Sequence, residues 1–259
     1  MDHLTIVKVG GKVVEDERSL QQLLRDFSAI AGYKILVHGG GRLATRIAEK
    51  LGIESRMVDG RRITDGETLK VVTMVYAGLV NKNIVAGLQA LGQNALGLTG
   101  ADLNIIRSQK RPVGKIDYGF AGDVKAVNGA MLSKLLKDGA IPVLAPLTHD
   151  GNGGLLNTNA DTIAGETAKE LVRHFDVRLV YCFEKNGVLM DENDDQSVIR
   201  QLNRELFEQY VEQGIISGGM IPKLENAFQA IQAGVKEVII TRADEINTGK
   251  GTTLIPSAP

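Results

Sequence analysis

Two lysines, two glycine turns and an asparagine-aspartate run are the residues of this 259-residue sequence best suited to chemistry on an anion. Ile6-Val7-Lys8-Val9-Gly10-Gly11-Lys12 reads as a buried strand with a lysine near its end and paired glycines at the turn. Glycines let backbone N–H groups approach an anion closely, and the lysine places a point charge beside them. Lys34-Ile35-Leu36-Val37-His38-Gly39-Gly40-Gly41 repeats the pattern before Arg42-Leu43-Ala44 opens a helix. Such a turn offers unsatisfied amides and the positive helix end to phosphate or carboxylate. His38 has no metal-ligand partner at a recognisable spacing and reads as a strand-end histidine rather than a catalytic one.

Further along, Arg61 and Arg62 precede Ile63-Thr64, where a guanidinium could grip a carboxylate, although two solvated surface arginines are the usual outcome. Leu156-Asn157-Thr158-Asn159-Ala160-Asp161 opens a helix, with Asn157 and Asn159 on one face if the segment is extended. Asparagine at a cap and aspartate in a first turn also make an ordinary helix start. In Gly214-Ile215-Ile216-Ser217-Gly218-Gly219-Met220-Ile221-Pro222-Lys223, the proline suits a first helical turn and Lys223 follows it. A lysine there opposes the helix dipole unless an anion lies nearby, so the mismatch points to one.

Two decoys accompany these motifs. Gly39, Gly41 and Ala44 match a relaxed dinucleotide fingerprint, with Asp59 twenty residues beyond Gly39, so an oxidoreductase is one alternative. Asp59 sits in a polar turn, however, rather than at the end of a second buried strand. Thr248-Gly249-Lys250-Gly251 lacks both the glycine spacing and the hydroxyl residue of a nucleotide loop.

The elements that must position these residues follow from hydrophobic periodicity. Short β-branched runs at Leu4 to Val9 and Lys34 to His38 alternate with helical patterns at Glu17 to Ala31 and Arg42 to Leu51, the wiring of a mainly parallel sheet covered on both faces. Asp65 to Leu91 reads as one long or two consecutive helices, and its length suggests an interface. Ile105 to Val127 alternates without helical period and reads as a hairpin-like insertion. Strands at Ile141 to Leu144, Val177 to Phe183, Glu237 to Thr241 and Thr252 to Ile255, with helices near Asp161 to His174, Arg204 to Gln213 and Ile221 to Ala233, complete the pattern.

Composition narrows the class. With 30 basic and 31 acidic residues, the net charge of -1 supplies no global field to gather nucleic acid or anionic lipid. The single cysteine, Cys182, lies in an apolar run and cannot form an internal disulfide, which fits a reducing compartment. The N-terminus lacks a signal-peptide pattern and no apolar stretch reads as long enough to cross a bilayer, so the expectation is cytoplasmic, with no membrane partner.

Taken together, Lys8-Val9-Gly10-Gly11, His38-Gly39-Gly40-Gly41, Gly60-Arg61-Arg62-Ile63-Thr64, Asn157 to Asp161 and Gly219 to Lys223 resemble, in order and spacing, the motif series of the N-acetyl-L-glutamate kinase family within the amino-acid kinase superfamily. The resemblance covers nearly the whole chain. It implies a three-layer α/β/α fold around an open, mainly parallel sheet, in one domain of residues 1–259. An acyl-amino-acid lobe of about 1–147 and an ATP lobe of about 148–259 would share that sheet. The implied reaction is ATP-dependent phosphorylation of the γ-carboxylate of N-acetyl-L-glutamate, the second step of arginine and ornithine biosynthesis.

Carried over by motif, Lys8 and Lys223 would flank the transferring phosphoryl group, with Asp161 orienting both ammonium groups. Gly10 and Gly11 would donate amides on the nucleotide side, and Gly40 and Gly41 on the acceptor side. Arg62 and Asn157 would bind the α-carboxylate and nearby polar atoms, supported by Asn159. Glu184, Lys185, Asn186, Gly187, Val188, Leu189, Ile215, Ile216 and Ser217 would line the nucleotide. Mg²⁺ would arrive with ATP, without a protein metal site.

Glu184 and Lys185 stand where relatives commonly have an aspartate and small residues. Ala101 stands where many have lysine, and Ala121 where they tend to have valine. The last two changes leave open a larger acyl group such as succinyl. A non-catalytic sensor on the same fold is a further alternative, which retention of Lys8, Asp161 and Lys223 opposes. Arginine-inhibited members carry an extra N-terminal helix that links dimers into a hexamer; with seven residues before Lys8, the expectation is a homodimer insensitive to arginine.

Overall fold

The computed structural model describes residues 1–58 and 60–256. Asp59, the acidic residue of the dinucleotide alternative, lies outside them. β1 (His3–Val9) leads through α1 (Gly11–Glu15) and α2 (Glu17–Ser28) to β2 (Tyr33–His38), then α3 (Gly41–Lys50) and a short hairpin of β3 (Met57–Val58) and β4 (Arg61–Arg62). A helical run follows as α4 (Gly66–Val72), a π-helical segment (Thr73–Val80) and α5 (Asn81–Ala90). β5 (Ala95–Leu98), β6 (Ile106–Lys110), β7 (Gly122–Val127), α6 (Gly129–Lys137), β8 (Ile141–Leu144), β9 (Leu147–His149) and β10 (Leu155–Asn157) complete the first part. The remainder is α7 (Ala160–Leu171), β11 (Asp176–Phe183), β12 (Gln201–Leu202), α8 (Arg204–Glu212), α9 (Met220–Gln232), β13 (Glu237–Arg242) and β14 (Thr252–Leu254).

The central sheet has eight strands in the order β12-β14-β13-β11-β1-β2-β8-β5, parallel except where β13 meets β14. It is the middle layer of an α/β/α sandwich. The side-chain period of two in each strand decides which helices a residue meets. Leu4 and Ile6 of β1 pack on the face covered by α6, α7, α8 and α9, whereas Val7 and Val9 pack with α2, α3 and the long helical run. Lys8 continues the Leu4, Ile6 series and therefore emerges beneath α7 and α9. His38 continues the series of Leu36 and faces the opposite layer.

β1 feeds α2 on one face and β11 feeds α8 and α9 on the other, so the chain diverges between these neighbouring strands. In open α/β sheets ligands bind in the crevice that such divergence leaves at the carboxyl ends of the strands. Lys8, Gly10, Gly11, Phe183 and Glu184 all border a cavity there.

A second sheet, β10-β9-β6-β7, contains the expected hairpin insertion, with a register shift between Arg107 and Ser108. It is tied to the hairpin side of the molecule through Thr64, whose N–H donates to Tyr118 O at 3.1 Å and whose carbonyl accepts from Phe120 N at 2.7 Å. Gly119 lies between them with φ of +63°, and a Cβ there would collide with the Thr64 carbonyl. Only glycine fits both the close approach and the left-handed backbone.

One expectation is corrected. The run Gly66–Ala90 is continuous over 25 residues and is long and apolar enough, by length and composition, to cross a membrane. Its apolarity has a local cause: Val71, Val72, Val75, Tyr76, Val80, Ile84 and Leu88 are buried against α2, α3 and the sheet. The sequence pattern also understated the helices. α1 and α6 were not anticipated, nor were the strands β5, β9 and β10, which are short and lack a full alternating pattern.

Candidate active site

The site is organised around a buried ion pair. Lys8 Nζ lies 2.7 Å from Asp161 Oδ1, with Lys8 only 7% and Asp161 8% exposed. Asp161 is in the first turn of α7, where the helix dipole favours a negative charge. Asn159 caps that helix, its Oδ1 accepting from the N–H groups of Asp161 at 2.8 Å and Thr162 at 3.1 Å. The Tyr181 hydroxyl donates to the Asp161 carbonyl at 3.2 Å, fixing the same turn to β11.

Lys223 reaches the same cavity from the first turn of α9. Its ammonium sits 4.1 Å from the centre of the Phe183 ring, and Lys8 Nζ sits 5.3 Å from it. Burial lowers the Lys223 pKa from the usual lysine value; the Lys8 charge adds to that effect, while Asp161 and Glu184 oppose it. Among the described residues Lys223 has no ion pair. The direct contact of Asp161 is thus with Lys8, and it acts on Lys223 through its field rather than by holding both ammonium groups.

The two glycine turns pack against each other. Gly39 N donates to Val9 O at 2.9 Å, and the point where a Gly11 side chain would begin lies 3.5 Å from both Gly40 N and Gly41 N. Gly40 has φ of +156°, and its missing Cβ would press on the Tyr76 ring at 3.1 Å. Gly11 and Gly41 each open a helix, whose first amides have no intrahelical acceptor. Gly10, Gly11 and Gly41 border the same cavity as Lys8.

Arg62 is not the solvated surface residue that its neighbour suggested; it is 7% exposed. Its Nη2 donates to Gly41 O at 2.7 Å and Thr45 Oγ1 at 2.8 Å, and its Nη1 to Ser55 Oγ at 2.9 Å. Three of five donors are thereby used and two remain. Arg62, Gly40, Gly41, Tyr76, Asn157 and Asn159 line a cavity of about 160 Å³. Asn157 is aimed by Thr64, whose Oγ1 accepts from Asn157 Nδ2 at 2.9 Å. Adjoining it, a cavity of about 650 Å³ holds Lys8, Gly10, Gly11, Asp161 and Lys223.

The residues expected around a nucleotide divide into two groups. Glu184 and Lys185 border the larger cavity, with Glu184 paired to Lys12 and 3.6 Å from Arg42 Nη2. Lys185 bonds Asp195 at 2.9 Å, and Asn186 donates to the Asp195 carbonyl at 3.0 Å, so both tie down the loop that follows β11. Gly187 is constrained by Thr252, whose hydroxyl accepts from Val188 N at 2.8 Å. Of the residues expected to line the nucleotide, Val188, Leu189 and Ile216 have buried side chains, Ile215 is half-buried and Ser217 is exposed.

Phe183, Tyr76 and Thr64 were not anticipated. The alternation Tyr181, Phe183 on the Lys8 face of β11 was a usable signal for the first, since Lys8 pairs with Tyr181 across the strands. Thr64 closes the Gly60 to Thr64 motif, but its contact with Asn157, like the place of Tyr76, is set by tertiary structure.

Known proteins resemble this chain over nearly its whole length. The model of the amino acid kinase family matches residues 3–242. An acetylglutamate kinase of Parabacteroides distasonis is 71% identical over 97% of this chain and 99% of its own, and one of Phocaeicola vulgatus is 70% identical over 98% of each. Among solved structures, N-acetylglutamate synthase from Neisseria gonorrhoeae, complexed with coenzyme A and N-acetyl-glutamate, has a TM-score of 0.83 at 22% identity, covering 100% of this chain and 60% of that one, a likeness of fold. Sequence and fold agree, and the chain belongs to the amino acid kinase family.

Proposed function

We propose that this chain transfers the γ-phosphoryl group of ATP to the γ-carboxylate of N-acetyl-L-glutamate, as a step of arginine biosynthesis. The observation that carries the phosphotransfer is the convergence of Lys8, Lys223 and the glycine-turn residues Gly10, Gly11 and Gly41 on one cavity. The acceptor follows from the full-length likeness to acetylglutamate kinases. Nothing in the relatives favours the succinyl alternative left open by Ala101 and Ala121.

The acceptor carboxylate, with a pKa of about 4.3 when unperturbed, is ionised at neutral pH and needs no general base. A carboxylate oxygen forms the new bond to phosphorus as the bond to the β–γ bridging oxygen breaks, leaving ADP and an acyl phosphate. The barrier is the repulsion of anions that must align, and fixed positive groups lower it. In this reading Lys8 and Lys223 stand on the phosphoryl oxygens, Asp161 holds the Lys8 ammonium, and Gly10 and Gly11 donate amides on the nucleotide side. Gly40 and Gly41 face the acceptor. Arg62 and Asn157 would take the α-carboxylate, while Asn159 secures the α7 turn.

Residues 1–147 would supply most of the acceptor site, joined by Asn157, and 148–259 most of the nucleotide site, joined by Gly10 and Gly11, with the backbone of Glu184 to Gly187 and Ile215 to Ser217 beside the nucleotide. Val188, Leu189 and Ile216 would support that surface from beneath. Among the described residues no three side chains of His, Cys, Asp or Glu gather as metal ligands. Mg²⁺ would be carried on the nucleotide's phosphate oxygens and would neutralise part of their charge. We also place the reaction in the cytoplasm, with cell fractionation as the check. The exposed side of the long helical run, including Met74 and Leu79, is proposed as a homodimer surface.

Hydroxylamine trapping with Mg-ATP should detect an acyl phosphate from N-acetyl-L-glutamate, with little from N-succinyl-L-glutamate. Lys8→Ala should lower kcat by at least about 100-fold while acceptor binding, measured by calorimetry, persists. Absence of product from the unaltered protein would exclude the reaction. A second expectation concerns pH. Lys223 works as a cation, and its pKa lies below the ordinary 10.5. Its charge is complete well below the folded pKa and is lost as pH rises through it, so kcat/KM should fall on an alkaline limb beginning below that value. Lys223→Arg should remove the limb, because guanidinium stays charged; a profile flat to the ordinary lysine pKa would contradict this. Light scattering should give the mass of two chains, and Met74→Glu with Leu79→Glu should give one. A monomer at every concentration would rule out the dimer.

A further inference from the structure

His38 is fully buried, and its two ring nitrogens are committed in a way that fixes its tautomer. Nδ1 lies 2.8 Å from the Gly39 carbonyl oxygen, and Nε2 lies 3.1 Å from Asn81 Nδ2. The orientation of the Asn81 amide is itself decided by neighbours with a single hydrogen-bonding sense. Its Nδ2 donates to the Val143 carbonyl at 2.9 Å, a group that can only accept. Its Oδ1 receives the Lys82 ammonium at 3.1 Å, a group that can only donate. Nε2 must therefore accept from Asn81, and Nδ1 must carry the proton that goes to Gly39.

The network has a geometric consequence for the glycine turn. The Gly39 carbonyl and the Gly40 N–H belong to one planar peptide unit, which is trans, so they point in opposite directions. A bond that pins the carbonyl toward the Asn81 side aims the N–H away from it. Gly40 N itself lies beside the other glycine turn, 3.5 Å from the point where a Gly11 side chain would begin. The pieces are also sterically matched. A side chain at Gly97 would overlap Asn81 Oδ1, and the Lys82 ammonium donates to the Gly97 carbonyl at 3.2 Å.

We propose that His38 is a positioning residue: through its Nδ1–H bond to the Gly39 carbonyl it aims the Gly40 amide into the site where the phosphoryl group and acceptor carboxylate meet. Asn81 holds His38 in the one tautomer that can do so. The role deepens the phosphotransfer reading and rests on it. Burial keeps the ring neutral by lowering its pKa to about 4, so the donor at Nδ1 persists through the neutral range. This is a use for the histidine that the sequence pattern left as a strand-end residue.

Asparagine and glutamine substitutions separate the role from simple packing, because the Asn amide nitrogen falls near the place of Nδ1 and the Gln nitrogen near that of Nε2. With melting curves and circular dichroism showing both variants folded, His38→Asn should keep kcat within about threefold of the unaltered protein. His38→Gln should lose at least about tenfold in kcat with the KM for ATP unchanged, the size expected when one aimed N–H is lost. Equal kcat values for the two variants, or the reverse order, would overturn the proposal. Long-range ¹H–¹⁵N NMR supplies a readout that needs no turnover. It should show one histidine protonated at Nδ1 and bare at Nε2 at pH 7, and the opposite tautomer would also overturn it. If the unaltered protein makes no acyl phosphate, the phosphotransfer reading fails while the NMR result still judges the tautomer.

Discussion

A lysine and an aspartate held 2.7 Å apart, both more than nine-tenths buried, set the terms for the rest of this structure. Desolvating two charges costs several kcal/mol each, and their attraction does not reliably return more than an apolar pair would. Such a pair is poorly explained as a stability device. It is well explained as a way to keep an ammonium group stationary at the edge of a cavity. Everything near it serves that end: β1 delivers Lys8 on the α7 face, Asn159 caps the helix that carries Asp161, and Tyr181 ties the turn to β11.

Several cations on the cavity are themselves held in place: Lys8 by Asp161, Lys12 by Glu184, and Arg62 by Gly41, Thr45 and Ser55. The glycine turns bring N–H groups into the remaining space without adding bulk, and their mutual contact leaves no room for a Cβ at Gly40 without moving Tyr76. Preorganised donors of this kind need not rearrange as charge shifts between phosphoryl group, leaving oxygen and acceptor.

Much of this was legible in the sequence because the informative features were local. The strand-lysine-glycine runs, the asparagine cap ahead of Asp161 and the ill-placed charge of Lys223 each conflict with, or exceed, what a plain element needs. The parallel wiring was visible for the same reason, from runs long enough to show their period. What stayed hidden depends on contacts across the chain. The burial of Arg62 is decided by Ser55 and Thr45, the aim of Asn157 by Thr64, and the packing of Val188 and Leu189 by the loop closing onto β14. The π-helical segment Thr73–Val80 shifts the phase of an apolar face without any residue that announces it, which is why one long helix and two consecutive ones read alike.

We propose that Asp161 acts in catalysis by holding Lys8 in place, and rapid-quench single-turnover kinetics of Asp161→Asn tests this most directly. The neutral amide keeps the shape of the side chain and removes the charge that fixes the ammonium. The expected result is a phosphoryl-transfer rate at least about 100-fold below that of the unaltered protein, with the affinity for acceptor changed by no more than about threefold. A transfer rate within twofold of the unaltered protein would contradict it.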